Sequence, residues 1–269
     1  MPTVKKFLAG VITGDVNHDE ANDANTSIFK KIMSGILFVV FLLIGLGNWS
    51  DSKQLILEVY QGVIANFTHK VEESTLSKLD IGNYLAFAER QVGMPQVIKT
   101  SDIDSDIEYR YYKDNKYLLT IISKKERVSG IVVHSLEHNK DYLSDFTPLI
   151  PFTNTQLKVD SIEKAIGHQN DFFFDNHNIA YFMKSKQLGA SGMHLYLSVG
   201  YTGYQSQQAA NKELLNQLDN ALVVDDNEKF EPIINRLTQT TASFYSISEL
   251  EPHFTADALL TKYEFNAYF

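Results

Sequence analysis

Residues 91–133 read QVGMPQVIKTSDIDSDIEYRYYKDNKYLLTIISKKERVSGIVV, and their pattern decides the fold class. A helical stretch stops at Gly93 and Pro95, and short runs rich in β-branched and aromatic residues follow: VIKT, IEYRYY, YLLTIIS and VSGIVVHSL. Polar turns at KDNK and KKER separate the later runs, which predicts an antiparallel meander behind one helix. From Leu157 the order starts again, with VDSIEKAIG as the helix and FFFD, IAYFMKS and MHLYLSVGY as strands. Aligning Gly93 with Gly167 and Tyr112 with Tyr181 gives offsets of 74 and 69 residues, and predicts two degenerate copies of one helix-plus-sheet unit. One short meander with one helix has little core, and a second copy extends the sheet. The class is α+β.

Outward from this pair of units, residues 32–49 (IMSGILFVVFLLIGLGNW) carry no charge. As a helix of about 27 Å they match the ~30 Å hydrocarbon core of a bilayer, so one transmembrane helix is expected. Lys30 and Lys31 precede it and Lys53 follows, which leans toward a cytoplasmic N-terminus. Residues 1–31 combine a short amphipathic opening (Val4, Phe7, Leu8, Val11) with an acidic linker. Residues 50–78 place Leu55, Val59, Val63, Phe67 and Val71 on one stripe, an amphipathic stalk helix. The tandem domain then spans 79–204. Residues 205–269 read as packing helices: one with Leu214, Leu215, Leu218 and Leu222 on a face, one over EPIINRLTQTTASFY, and a short one from Ala256 to Tyr263.

The absence of cysteine excludes disulfides, thiolate zinc sites and cysteine nucleophiles. A net charge of −9 makes the whole surface a poor partner for polyanions, so phosphate binding has to be local. No glycine-rich phosphate loop, nucleophile elbow or HExxH motif occurs, and the expectation is a protein without catalytic site, cofactor or metal. His134 and His138 are four apart but sit where a strand runs into a loop. Asp102, Asp104, Asp106 and Glu108 open like a calcium loop, yet Ile107 takes the glycine position and Lys113 the terminal glutamate position.

Between Tyr109 and Arg127 six basic residues and two acidic ones leave +4, interleaved with Tyr109, Tyr111, Tyr112 and Tyr117. Rings beside cations suit a single-stranded nucleic acid. Arg110, Tyr111, Tyr112, Lys124, Lys125 and Arg127 are the candidate ligand-binding residues. The competing reading has the tyrosines filling the core and the lysines decorating turns.

The first unit resembles the helix–glycine–x–proline–tyrosine-strand pattern of small bacterial domains similar to the outer-membrane assembly lipoprotein BamE. The tandem arrangement is similar to the β-lactamase inhibitor protein. That resemblance implies a domain that binds macromolecules through surface aromatics of the meander. In layout, a short span before a soluble domain resembles membrane effectors of bacterial antiphage immunity, such as the channel subunit of the Hailong system. This second resemblance implies a homo-oligomeric ion channel in a bacterial inner membrane, single-pass, with a cytoplasmic soluble domain. Its ligand would be a nucleotide or single-stranded DNA oligomer made by a partner enzyme. Ser34, Gly35, Phe38, Phe41 and Gly45 would line or pack the span. The alternative is a periplasmic, membrane-tethered module for binding or scaffolding proteins.

Overall fold

The computed structural model describes residues 30–31, 33–41, 69–136, 145–168, 171–204, 209–224 and 227–269. The chain divides into two units, Met1–Val63 and Ile64–Phe269. In the first, residues 33–41 are helical, and Ser34, Gly35, Phe38 and Phe41 are exposed. Gly45 and the rest of the apolar run, most of the N-terminal segment, and residues 50–68 of the expected stalk lie outside the described residues. Among the described residues no helix is long and apolar enough to cross a membrane.

The second unit begins with α1 (Lys70–Leu76) and α2 (Leu85–Val92). Strands β1 (Val97–Thr100), β2 (Ile107–Lys113), β3 (Tyr117–Lys124) and β4 (Arg127–Ser135) follow as the expected meander. After α3 (Ile162–Ile166) come β5 (Phe172–Asp175), β6 (Tyr181–Gln187) and β7 (Tyr196–Thr202). Then come α4 (Ala209–Val223), α5 (Asn227–Thr238), β8 (Phe244–Ser248), α6 (Pro252–Asp257) and α7 (Lys262–Tyr268). The eight strands of the described residues form one antiparallel sheet in the order β1-β2-β3-β4-β8-β7-β6-β5. The two four-stranded units therefore meet at their last strands, with His134 opposite Phe244 and Gly130 opposite Ser248.

Three expectations need correction. The C-terminal region is not purely helical: Phe244 and Tyr245, read as the end of a helix, open β8, which is buried along its whole length between β4 and β7. A central strand is covered on both faces, so its apolar and small residues carry no amphipathic alternation. The short helix expected over 256–263 is two helices, broken between Asp257 and Lys262; Thr261 starts the second with a reciprocal cap to Glu264. The third concerns register. The Gly93–Gly167 offset carries β2 onto β6, Ile107–Lys113 onto Tyr181–Gln187, while the Tyr112–Tyr181 offset does not. Tyr112 lies in the core on one face of the sheet and Tyr181 in the core on the other. Side chains alternate with period two, so the odd offset of 69 reverses every face and the even offset of 74 preserves it. Both glycines close their helices at positive φ, 89° and 79°, a backbone state that side chains disfavour.

Helices α2 to α5 cover one face, where Leu85, Ala88, Ile162, Leu215, Leu218 and Leu237 pack on Leu119, Ile121, Phe182 and Tyr245. The C-terminal segment covers the other face, where Ala258, Leu259, Leu260 and Phe265 meet Tyr109, Tyr111, Leu118, Ile122 and Phe244. Under α6 the sheet carries small residues, Ser185, Ser198, Gly200 and Ser246. The Ser185 and Ser198 hydroxyls are 2.7 Å apart, and Ser246 Oγ lies 3.0 Å from Thr255 Oγ1 on α6. Gly200 is obligatory: a Cβ there would lie 2.4 Å from the Phe182 carbonyl oxygen.

Candidate functional site

Alternation along β2 separates the candidate tyrosines. Tyr109 and Tyr111 turn to the C-terminal helices, where Tyr109 donates to Asp257 at 2.6 Å and Tyr111 to the Ala258 carbonyl at 3.0 Å. Tyr112 turns to the opposite core. Burial raises the pKa of all three hydroxyls, that of Tyr112 to about 12. None of the three rings presents a face to solvent, since their residual exposures are 6% or less. Tyr111 and Tyr112 are therefore corrected from ligand contacts to core. Turning Tyr111 outward would forfeit roughly 2–3 kcal/mol of burial and a hydrogen bond, against about 1–3 kcal/mol from one stacked base.

The cations of the segment meet carboxylates from elsewhere in the chain. Arg110 bridges Glu89 on α2 at 3.1 Å and Glu108 at 2.6 Å. Lys124 holds Asp104 at 2.9 Å, and this hydrogen bond is the main cause of the lowered Asp104 and raised Lys124 pKa values. Arg127 donates to the Gly82 carbonyl and lies 3.9 Å from Glu249. Lys116 pairs with Glu72 of α1 at 2.7 Å with both side chains buried, and Lys113 lies over the Phe265 and Phe269 rings. Lys125 is exposed at the β3–β4 turn, where it and Glu126 adopt positive φ, as a two-residue hairpin requires. The local excess of positive charge is thus balanced by Glu72, Glu89, Asp104, Glu108 and Glu249. The fold does not gather Arg110, Lys124, Lys125 and Arg127 with the tyrosines into one surface. Arg110 sits mid-strand, whereas the other three cluster at the far end of the β3–β4 hairpin.

The acidic run is absorbed in the same way, with Asp104 and Glu108 both in ion pairs; among the described residues no cluster of three or more metal-ligating side chains occurs. His134 is on strand β4, as its sequence context implies, and His138 lies outside the described residues. His134 is stacked on Phe244 at 4.7 Å and beside Tyr204 at 5.0 Å, with both ring nitrogens buried and lacking a hydrogen-bond partner. Burial, followed by the charge of Lys158, lowers its pKa to about 3.

Two exposed apolar groups escaped the sequence reading. Along the helix–turn–strand 84–98, Tyr84, Phe87, Met94 and Ile98 are all exposed; Ile98 lies on β1, an edge strand among the described residues, and Met94 just precedes it, whereas Tyr84 is bridged to Arg127 at the start of β4. Between β4 and α3 lies a tight hairpin with Leu149 and Phe152 exposed at its tip. The signals were available in principle. Phe87 interrupts a helix face that needs polar residues, Met94 follows the glycine that closes that helix, and residues 146–157 hold no charge.

No family model matches the chain. No curated protein matches it either. Among solved structures, a cysteine-rich secretory protein of Staphylococcus aureus subsp. aureus Mu50 is similar over 63% of this chain at 10% identity, with a TM-score of 0.26. The similarity spans 44% of that protein, and at this level it bears on neither activity nor partner.

Proposed function

We propose that this chain is a membrane-tethered binding module that holds a partner protein along the outer margin of its first repeat. The tether is the uncharged run 32–49, whose length suits a bilayer. The observation that carries the binding role is the exposed apolar pair Met94 and Ile98 at the edge strand β1. Ile98 sits on β1, whose outer edge pairs with no other strand among the described residues. Exposed apolar side chains beside an open strand suit an extended segment of a partner, which adds main-chain hydrogen bonds along the edge and seats side chains on the margin. This reading takes the place of surface aromatics on the meander. It also ranks above the oligonucleotide-gated channel, because that function would have to draw Arg110 and Lys124 out of ion pairs.

The test uses the full chain in its own membrane. A photo-crosslinking residue at Ile98 should give one defined protein adduct on irradiation, and the same residue at Met193, more exposed at 70% against 50% but on the β6–β7 connection, should not. Equal adducts at both positions would sink the proposal. Tight binding of labelled single-stranded DNA at low salt would move the function to nucleic acid instead.

A further inference from the structure

The hairpin between β4 and α3 is built to display a phenylalanine. Thr153 donates its N–H to the Ile150 carbonyl at 3.2 Å, which closes a four-residue turn over Pro151 and Phe152. Proline fixes the first central residue, and Phe152 takes φ 62° at the second, so this is a type II turn. That position favours glycine, and a bulky side chain there is an outlier. The turn is held hard: Ile150 N–H donates to Thr155, Thr153 Oγ1 donates to the Ile150 carbonyl, and Leu149 bridges Gln156. Its inward residues Ile150, Thr155 and Leu157 are buried. Its outward residues Leu149 and Phe152 are 63% and 54% exposed.

The hairpin has a definite place on the domain. Ser135, the last residue of β4, donates to the Phe146 carbonyl, and Lys158 N–H donates to Ala242 just before β8. It is thus rooted at the sheet end where β4 finishes and β8 begins. The chain enters the domain at the same end. The His69 ring packs edge-on against Phe146, and Glu72 reaches Lys116 at the start of β3. Upstream of His69, Trp49 ends the apolar run, and a tether of that length reaches roughly 70 Å at full extension.

We propose that this hairpin is a second, peripheral membrane contact, with Phe152 and Leu149 entering the interfacial layer of the bilayer in which residues 32–49 are anchored. The proposal rests on the tethered reading above. A lipid surface is favoured over a protein because residues 146–157 carry no charge and the apolar groups stand at a turn on the entry end of the domain. A phenylalanine and a leucine beside prolines suit the headgroup boundary, which accepts apolar side chains without a shaped pocket. One such contact is weak alone, and a covalent tether supplies the second signal that stable attachment needs.

The chain has no cysteine, so Phe152→Cys, Leu149→Cys and Met193→Cys each create a unique labelling site. Met193 is 70% exposed on the β6–β7 connection, at the opposite end of the sheet, and serves as the control. The full chain carrying an environment-sensitive fluorophore is reconstituted in phosphatidylcholine–phosphatidylglycerol vesicles, and flotation is measured first. Failure to float overturns the tether and this proposal together. In floating protein, spin-labelled lipids should quench the probe at 149 or 152 about two-fold or more over the probe at 193. Equal quenching at all three sites overturns the hairpin contact and leaves the tether standing. A probe at 152 that is shielded from water but unquenched by lipid assigns the hairpin to a protein partner and overturns it too. Finally, Phe152→Gly should leave the urea midpoint unchanged or raised while reducing quenching at 149. A lowered midpoint with quenching retained would make Phe152 a structural residue.

Discussion

Lowering the pH should destabilise this domain well before its carboxylates titrate, and His134 is the reason. Its imidazole is buried between Phe244 and Tyr204 with neither nitrogen hydrogen-bonded, and its folded pKa is about 3 against 6.5 for the free side chain. A folded pKa below the unfolded one means that the unfolded chain binds the proton first. Stability is therefore full above pH 6.5 and is lost progressively as pH falls toward the folded value. Each pH unit inside that window removes up to about 1.4 kcal/mol, so the step from pH 7.5 to 5 removes about 2 kcal/mol. His69 shifts in the same direction, through burial and then Lys116, so the wild-type curve alone does not isolate His134. The assay is urea unfolding of wild type and His134→Phe at pH 7.5, 6.5, 5.5 and 5. The phenyl ring keeps the stack and deletes two buried nitrogens whose desolvation costs on the order of 1–3 kcal/mol each, offset by a larger ring in a packed site. The variant's stability should fall less steeply with acid, by about 2 kcal/mol over the window. Parallel curves for the two proteins would refute the reasoning, because they would show that His134 takes up its proton without unfolding.

Three further outcomes follow from the packing. Glu72→Ala should cost about 3–5 kcal/mol in the same assay by leaving Lys116 buried without its carboxylate, while Glu72→Met with Lys116→Met should cost less than that; the reverse order would contradict a buried pair. Gly200→Ala, whose Cβ meets a backbone oxygen at 2.4 Å, should lose roughly 2 kcal/mol or more. Gly130→Ala, which meets the movable Ser248 hydroxyl at 2.9 Å, should lose less, and equal losses would count against the strand spacing. Replacing Arg110, Lys124, Lys125 and Arg127 together by alanine should lower the thermal midpoint by several degrees, chiefly through the orphaned Glu89 and Glu108; an unchanged midpoint with lost oligonucleotide binding would restore the nucleic-acid site.

The legible part of the candidate site was its charge, and the illegible part was where that charge goes. Reading Tyr109 to Arg127 alone leaves +4, because every compensating carboxylate except Glu108 comes from α1, α2, the β1–β2 loop or the segment after β8. Ion pairing across the fold is a long-range property, and a local window counts the cations without their partners. The tyrosines misled for a related reason. Half-exposed and fully buried strands both alternate rings with cations, and the difference lies in whether a second layer covers the far face. Here α6 and α7, close to the C-terminus, supply that layer over β2.

From the sequence alone came the α+β class, the meander order of the first seven strands, the glycine-closed helix that opens each repeat and the uncharged run 32–49. All of these depend on neighbours within a few residues: period-two patterning, turn chemistry, and a positive-φ helix end. The equivalence of Gly93 and Gly167 was readable because a helix ending needs glycine wherever it occurs. The eighth strand was not, because FYSIS has no exposed face to alternate and follows a helix after a short connection, residues 239–243. Only the tertiary structure could join the repeats through β4 and β8 and bury both faces of the sheet. The same folding spends the cations on distant carboxylates and leaves Phe152 on a rigid turn beside the point where the chain enters the domain. Burial and pairing are settled by what lies across the fold, and no spacing along the chain encodes that distance.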